Sequence, residues 1–206
     1  MKRQITFAQY RTIDLFLMVI LLVFAEVGIY IAKATVYSGQ LFQASPTGAI
    51  VALVMMRWNG WAAIPALLGG LLYGALRGGL WPYGIVYGVG NLLSLAALLW
   101  FRMGKDKLRS EALPTMAFGL TVQVLMQLGR GIVALVATMA DPAILGQGNQ
   151  LEPLETFLSF ITSDSLSILL TVVALWIVRR IEGLFEDQKS YLLRVQQQEL
   201  QVEGRE

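Results

Sequence analysis

The sequence predicts an all-α membrane protein: a bundle of six transmembrane helices, with both termini in the cytoplasm and a cytoplasmic C-terminal helix. Three observations predict this fold. The composition is 56% hydrophobic and only 15% charged, with a mean hydropathy of +0.60. The apolar residues form long runs with few charges, which is typical of membrane-spanning segments. The basic residues fall mainly in alternate connections between these runs.

Six apolar runs are interpreted as spans, the second and third of them as short or tilted helices. In chain order they are Ile13–Ala34, Gln40–Met56, Trp61–Leu76, Trp81–Phe101, Leu113–Thr138 and Leu154–Val178. The first run is longer than the about 7–15 apolar residues of a signal-peptide core. It also carries Glu26, so we interpret it as a retained span.

The distribution of basic residues predicts the orientation, because cytoplasmic loops are enriched in lysine and arginine. With both termini inside, only Lys33 and Arg77 lie on the outer side and Arg130 lies within a span. The inner side receives Lys2, Arg3, Arg11, Arg57, Arg102, Lys105, Lys107, Arg109, Arg179, Arg180, Lys189, Arg194 and Arg205.

The chain divides into a membrane domain of residues 1–180 and a cytoplasmic, charged, amphipathic tail of residues 181–206. The tail is rich in glutamine and has a loose apolar stripe. It is too short for the about three to four heptads that predict a coiled coil. A solvated helix that continues the sixth span and a docking helix both remain open.

The absence of cysteine and histidine from the sequence excludes several kinds of chemistry. It excludes disulfides, thiolate or imidazole metal sites and nucleophile–base pairs built on these residues. The sequence also lacks a P-loop motif for ATP. With a net charge of only +2, neither a nucleic-acid partner nor a metal or other cofactor is predicted, and the lipid bilayer is the expected environment.

Polar residues recur at helical spacing within the apolar spans. Gln123, Gln127 and Arg130 lie at i, i+4 and i+7 on one face of the fifth span. The fourth span has Tyr83, Tyr87 and Asn91 on one face, the first has Glu26 and Tyr30, and the sixth has Asp164. Four helices therefore carry polar residues in the half of the membrane predicted to be outer.

These polar residues are predicted to lie at similar depths in the membrane. At about 1.5 Å per residue, Glu26 and Arg130 lie roughly 12 Å below the outer ends of their helices, and Asn91 and Asp164 roughly 15 Å. A charge at this depth should face protein or a water-filled cavity. Arg130 could pair with one carboxylate only to hold the bundle together, but one cation cannot neutralise both Glu26 and Asp164.

We therefore favour an outward-facing pocket for a small, flat, polar ligand, with tyrosines as its walls and amides selecting the hydrogen-bond pattern. The candidate substrate-binding residues are Glu26, Tyr30, Tyr83, Tyr87, Asn91, Gln123, Gln127, Arg130 and Asp164.

Small residues repeat every four positions in two spans, at Gly70 and Gly74 in the third and at Gly28 and Ala32 in the first. This spacing allows helix backbones to approach closely. Internal packing and a face for another membrane subunit are both consistent with it.

Two stretches resemble the substrate-binding S component of an energy-coupling factor (ECF) transporter: PTGAIVALVMMRWNGWAAIPALLGGLLYG (Pro46–Gly74) and WPYGIVYGVGN (Trp81–Asn91). The resemblance covers roughly Ile13–Arg180, in pattern more than in identities. It implies a multi-pass protein of a bacterial or archaeal cell membrane that binds a vitamin-type ligand from outside.

The resemblance also implies a membrane-embedded coupling subunit and a pair of ATPases as partners. It would place ligand contacts near Asn91, Gln127, Arg130 and Asp164. The small patch that S components often present to the coupling subunit has its nearest match at Gly28-x-x-x-Ala32, nearer the outer end of the first span than in that family.

Two other classes of function compete with a binding subunit. One is a membrane signalling or scaffold protein whose C-terminal helix contacts cytoplasmic partners. The other is a membrane enzyme with Glu26 and Asp164 as an acid–base pair, which the lack of any recognisable nucleophile motif weakens. The leading interpretation is therefore a binding protein and not an enzyme.

Overall fold

The computed structural model describes residues 6–36, 43–146, 150–162, 164–181, 183–188 and 191–194. All regular elements in these ranges are helical. The α-helices are α1 (Phe7–Thr35), α2 (Thr47–Trp58), α3 (Ala63–Gly78), α4 (Ile85–Asn91), α5 (Lys105–Ser110), α6 (Ala112–Ala140), α7 (Pro153–Thr162) and α8 (Ser165–Val178). A π turn, Leu80–Gly84, precedes α4, and two 3₁₀ segments, Asn59–Ala62 and Leu92–Met103, follow α2 and α4.

Five stretches of the described chain are long and apolar enough to cross a membrane. They are Phe7–Thr35, Thr47–Gly78, Leu80–Met103, Ala112–Ala140 and Pro153–Val178. This confirms an all-helical fold whose helices can span a bilayer. The second and third predicted spans fall together in the one stretch 47–78, so six spans with both termini in the cytoplasm remain a prediction.

The stretch 47–78 is not a straight helix, because the chain folds back at Asn59. This residue has a φ of 54°, the left-handed region that asparagine tolerates better than most residues. Thr47, at the start of α2, lies against α3: a Cβ built on Gly69 would be 2.6 Å from Cγ2 of Thr47. Helices α2 and α3 therefore run antiparallel.

Helix α2 lies at the centre of the bundle. It has only 12 residues, and all of them except Ala49 are buried. A Cβ on Gly48 would meet the side chains of Gln123 in α6 and Thr171 in α8. The N-terminus of α2 is thus inside the protein, close to the predicted polar residues.

Helix α1 lies at the periphery. It begins at Phe7, earlier than the predicted Ile13, because Thr6 and Gln9 form a capping box that a search for apolar runs does not detect. Its outer face carries exposed apolar side chains such as Phe16 (64%) and Phe24 (74%). Such a face suits lipid or another membrane subunit.

Ion pairs bring several chain segments together at one end of the bundle, which we name the basic end. Arg57 pairs with Asp14, Lys105 with Asp187, and Arg109 with Glu186. The start of α1, the end of α2, helix α5 and residues 183–188 therefore lie there. We name the opposite end, where α1, α3 and α6 finish, the distal end.

The described part of the C-terminal tail packs against the basic end rather than continuing α8 into solvent. Arg57 Nη1 donates to the carbonyl oxygens of Gly183 (3.2 Å) and Leu184 (2.9 Å). Phe185 is 2% exposed and belongs to the main hydrophobic core. The core thus continues beyond residue 180, while most of the predicted tail helix lies outside the described residues.

The glycines of α3 pack within the chain. A Cβ on Gly70 would be 2.3 Å from the carbonyl oxygen of Tyr87, and one on Gly74 would be 2.6 Å from the backbone of Gly84. Gly70 and Gly74 therefore pack internally, one of the two alternatives that their spacing left open, because the backbone leading into and through α4 covers them. A Cβ on Gly28 would meet nothing within 4 Å, and Ala32 is half-buried, so the prediction of a face for a partner subunit stays open for α1.

Candidate functional site

A fully buried arginine is at the centre of the candidate site. Arg130, on α6, forms an ion pair with Asp164, and both side chains are 0% exposed. Arg130 Nε donates to Asn91 Oδ1 at 2.7 Å, and Asn91 Nδ2 donates to the carbonyl oxygen of Ala66 at 2.9 Å. Helices α3, α4 and α6 and the start of α8 are thereby linked through one guanidinium group.

Asp164 takes this position because the predicted sixth span is not continuous. Helix α7 ends at Thr162 and α8 begins at Ser165, with Asp164 as the N-cap residue at φ −107° and ψ 30°. The break leaves the carbonyl oxygen of Asp164 able to accept from Gln127 Nε2 at 3.0 Å. Backbone and side chain of Asp164 are therefore both bound by α6.

Two tyrosines enclose the guanidinium group. Arg130 Cζ lies 5.3 Å from the ring centroid of Tyr73 and 4.9 Å from that of Tyr87. The two rings meet edge to face at 4.7 Å, and the hydroxyl of Tyr73 hydrogen-bonds to Oδ1 of Asp164. Cation–π contact thus adds to the ion pair in stabilising the arginine at this depth.

Glu26 lies in a neighbouring polar cluster and is 3% exposed. Its carboxylate accepts from Ser45 Oγ at 3.0 Å, and the backbone N–H of Ser45 donates to Ser167 Oγ at 2.8 Å. No lysine or arginine of the described residues lies within 4.0 Å of Glu26. The cation therefore pairs with Asp164, and Glu26 is the surplus carboxylate.

Three buried donor groups in this region have no hydrogen-bond partner among the described residues: Thr47 Oγ1, Gln123 Nε2 and Arg130 Nη2. Leaving such a group unsatisfied costs about 1–3 kcal/mol, and more for a charged group. The oxygen of Gln123 accepts from Thr171 Oγ1 at 3.3 Å, so only its N–H₂ is unpartnered. These groups fit a guest that carries hydrogen-bond acceptors.

A cavity of about 400 Å³ opens at the distal end next to this network; we name it the tyrosine cavity. Its lining residues are Gln43, Tyr83, Tyr87, Leu145, Leu151, Glu152, Glu155, Thr156, Ser159 and Phe160. Tyr83 is fixed by donating to the carbonyl oxygen of Leu145 at 2.6 Å. Tyr87 lines this cavity and also lies 4.9 Å from Arg130 Cζ, so the cavity adjoins the buried network at Tyr87.

A second cavity, of about 410 Å³, lies between the distal ends of α1 and α3; we name it the basic cavity. It is lined by Ile29, Tyr30, Lys33, Ala34, Gln43, Leu76 and Arg77. Gln43 lines both cavities, and its Oε1 is 3.1 Å from the hydroxyl oxygen of Tyr73.

The structure distributes the nine predicted site residues over five places. Asn91, Gln127, Arg130 and Asp164 form the buried network, and Tyr83 and Tyr87 line the tyrosine cavity. Gln123 lies with Thr171, Glu26 lies with Ser45, and Tyr30 lies in the basic cavity. The expected single wet pocket is thus divided, and Arg130 is enclosed rather than open to the exterior.

Sequence reasoning missed several residues of the site. Tyr73 is the single aromatic of α3, and Gln43 precedes the second helix, so neither belongs to a polar stripe. Glu152 and Glu155 stand three positions apart around the first residues of α7, a spacing that could have indicated two carboxylates on one helix face.

Over the described residues the fold is an all-helical bundle with five stretches long and apolar enough to span a membrane, and a buried charged network lies next to a distal cavity. Comparison of the chain with protein-family models, with curated proteins and with solved structures gave no match.

Proposed function

We propose that the protein is the substrate-binding subunit of an ECF-type ABC uptake transporter in a bacterial or archaeal cell membrane, where it captures a vitamin-like, small polar molecule from outside. The observation that carries the proposal is the position of Tyr87. This residue lines the distal tyrosine cavity and also lies 4.9 Å from the buried guanidinium carbon of Arg130.

The size and lining of the tyrosine cavity support a small ligand. Its volume of about 400 Å³ falls within the about 300–1,000 Å³ of small-molecule sites. Tyr83, Tyr87 and Phe160 provide flat apolar surfaces, and Glu155 provides a hydrogen-bond acceptor for ring N–H or hydroxyl groups. Such a lining favours a flat molecule with donor groups at its edge.

The unpartnered Nη2 of Arg130 extends this chemistry inward. Rotation of the Tyr87 ring toward the cavity would bring a ligand carbonyl or anionic group within reach of the guanidinium. The pairing with Asp164 and Asn91 uses the other donors and fixes the orientation of the plane. In this proposal Arg130 selects an acceptor group, and Tyr87 controls access to it.

The orientation follows from the distribution of charge. In the proposed arrangement of six spans with both termini in the cytoplasm, the basic end faces inward, as the positive-inside rule requires. The distal cavities then open to the exterior. The exposed face of α1 around Gly28 would contact the coupling subunit, and the paired ATPases would supply the energy.

The proposal is tested on the purified full-length protein. Mass spectrometry of the molecules released on denaturation identifies the bound compound. That compound should stabilise the fold by about 2.7 kcal/mol at 100-fold excess over its dissociation constant. The absence of any retained compound, or copurification with protein partners alone, would contradict the proposal and favour a scaffold.

Matched variants locate the site. Glu155→Gln alters a carboxylate of the tyrosine cavity and should weaken binding, whereas Glu111→Gln alters an exposed carboxylate that precedes α6 at the basic end. Equal loss in both variants would place the ligand elsewhere. In the same way, Tyr87→Ala should reduce affinity, with Tyr191→Ala at the basic end as its control.

A further inference from the structure

We infer that the basic cavity binds an oxyanionic group, a carboxylate or a phosphate, and is a second binding site separate from the tyrosine cavity. The placement of Lys33 and Arg77 in the lining of one cavity carries this inference. It does not depend on the substrate proposed above.

The two cavities differ in charge. Seven residues line the basic cavity, and they include two cations and no carboxylate. The tyrosine cavity has Glu152 and Glu155 in its lining and no cation. The two adjacent spaces, with only Gln43 in common, therefore attract guests of opposite charge.

Arg77 is held in place by contacts that leave most of its donors free. Its Cζ lies 3.9 Å from the ring centroid of Tyr73, and Nη2 donates to the carbonyl oxygen of Ala44 at 3.4 Å. A guanidinium has five N–H donors in a fixed fork that matches carboxylate or phosphate oxygens. No acidic side chain of the described residues lies within 4.0 Å of it.

Lys33 provides the second cation, from α1. It lies in the last turn of that helix, as Arg77 lies in the last turn of α3. Each therefore complements the partial negative charge at a helix C-terminus. That role does not require a shared cavity, and two like charges around one space repel each other unless an anion lies between them.

The position of the cavity indicates two sources for an oxyanion. Helices α1 and α3 end at Thr35 and Gly78, so both cations lie near the distal ends of spans, where a membrane surface would be. A lipid headgroup can supply a phosphate at this level, and the aqueous phase can supply a dissolved anion. Both have the same chemistry toward Lys33 and Arg77.

The experiment uses the full chain in two lipid environments. In nanodiscs of phosphatidylcholine alone, binding of inorganic phosphate is measured by equilibrium dialysis. In mixed phosphatidylcholine and phosphatidylglycerol, the lipids that remain bound are measured by native mass spectrometry. Each measurement compares wild type with Lys33→Gln/Arg77→Gln and with Arg102→Gln/Lys107→Gln, which removes two exposed charges from the basic end.

We expect wild type to bind phosphate or to retain phosphatidylglycerol preferentially, with at least a tenfold loss in Lys33→Gln/Arg77→Gln and no change in the control. Phosphate binding without anionic lipid identifies a dissolved anion, and retention of phosphatidylglycerol alone identifies a headgroup. The inference is overturned if wild type binds neither, or if both double variants behave alike. If the Arg77 substitution prevents folding, Lys33→Gln alone must show the loss.

Discussion

Arg130 and Asp164 form an ion pair in which neither side chain is exposed, and the pair connects α6 to the break between α7 and α8. Because neither charge is in contact with water, each charge is stabilised by its partner in the pair. Removal of one partner of such a pair costs about 3–5 kcal/mol, since it leaves an uncompensated buried charge.

Arg130→Ala should lower the free energy of unfolding by about 3–5 kcal/mol. The double variant Arg130→Gln/Asp164→Asn should recover part of this loss, because no charge then remains unpaired. The stability of both variants is measured by tryptophan fluorescence during thermal unfolding in detergent. The Lys107→Ala variant, which changes an exposed residue, is the control. An Arg130→Ala protein that unfolds like wild type would show that the pair does not stabilise the bundle.

Glu26 and Asp164 should respond in opposite ways to neutral replacement. Glu26 has one side-chain hydrogen bond, to Ser45, and no cation of the described residues within 4.0 Å, so Glu26→Gln should leave the unfolding temperature equal or higher. Asp164→Asn should lower it, since Arg130 would lose its counter-charge. Thermal unfolding of the two variants, measured in parallel, checks this prediction. If Glu26→Gln lowers the unfolding temperature more than Asp164→Asn does, our assignment of the paired carboxylate is wrong.

The glycines of α1 and α3 should differ in their tolerance of alanine. Gly70→Ala places a Cβ 2.3 Å from the carbonyl oxygen of Tyr87, and overpacking of this kind costs about 1–3 kcal/mol or more. Gly28→Ala has open space around it and should stabilise α1 by up to about 1 kcal/mol. Unfolding temperatures of the two variants give the comparison, and equal effects would mean that α3 and α4 are not in close backbone contact.

Arg57→Gln should loosen the C-terminal segment. Arg57 pairs with Asp14 and donates to the carbonyl oxygens of Gly183 and Leu184, so its loss removes two of the contacts that attach residues 183–188 to the basic end. We expect faster trypsin cleavage after Arg179 and Arg180. Mass spectrometry of the fragments over time measures the cleavage rate. Lys107→Gln, which removes an exposed charge from the same end, should leave the cleavage rate unchanged.

The sequence predicted the helical class, and four of the residues that it singled out, Asn91, Gln127, Arg130 and Asp164, lie together in the buried network. Polar residues in apolar helices must face protein or water, and at about 1.5 Å per residue their depth can be counted. This reasoning placed Asn91, Arg130 and Asp164 near one level, and the structure brings all three into direct hydrogen-bonding contact. The helical periodicity of polar residues and their distance from the end of a helix are local properties, so both can be counted in the sequence.

The division of the site could not be predicted in this way. The non-helical conformation at Asp164 has no adjacent proline or glycine to mark it, and the hydrogen bond between Tyr73 and Gln43 depends on how the chain enters α2 and folds back into α3. The enclosure of Arg130 involves the rings of Tyr73 and Tyr87, which come from α3 and α4. These features arise from packing between segments that are distant in the sequence, and helical periodicity gives no information about such packing.

The shortness and burial of α2 have a consequence for biogenesis. Its 12 residues would extend about 18 Å as a helix, short of the about 30 Å hydrocarbon core. It is therefore poorly suited to insert alone, and would enter the bilayer as a helical hairpin with α3. Its neighbours Gln123 and Thr171 come later in the chain. This buried helix is consequently among the first to be synthesised, and its contacts are complete only after α8 has been made.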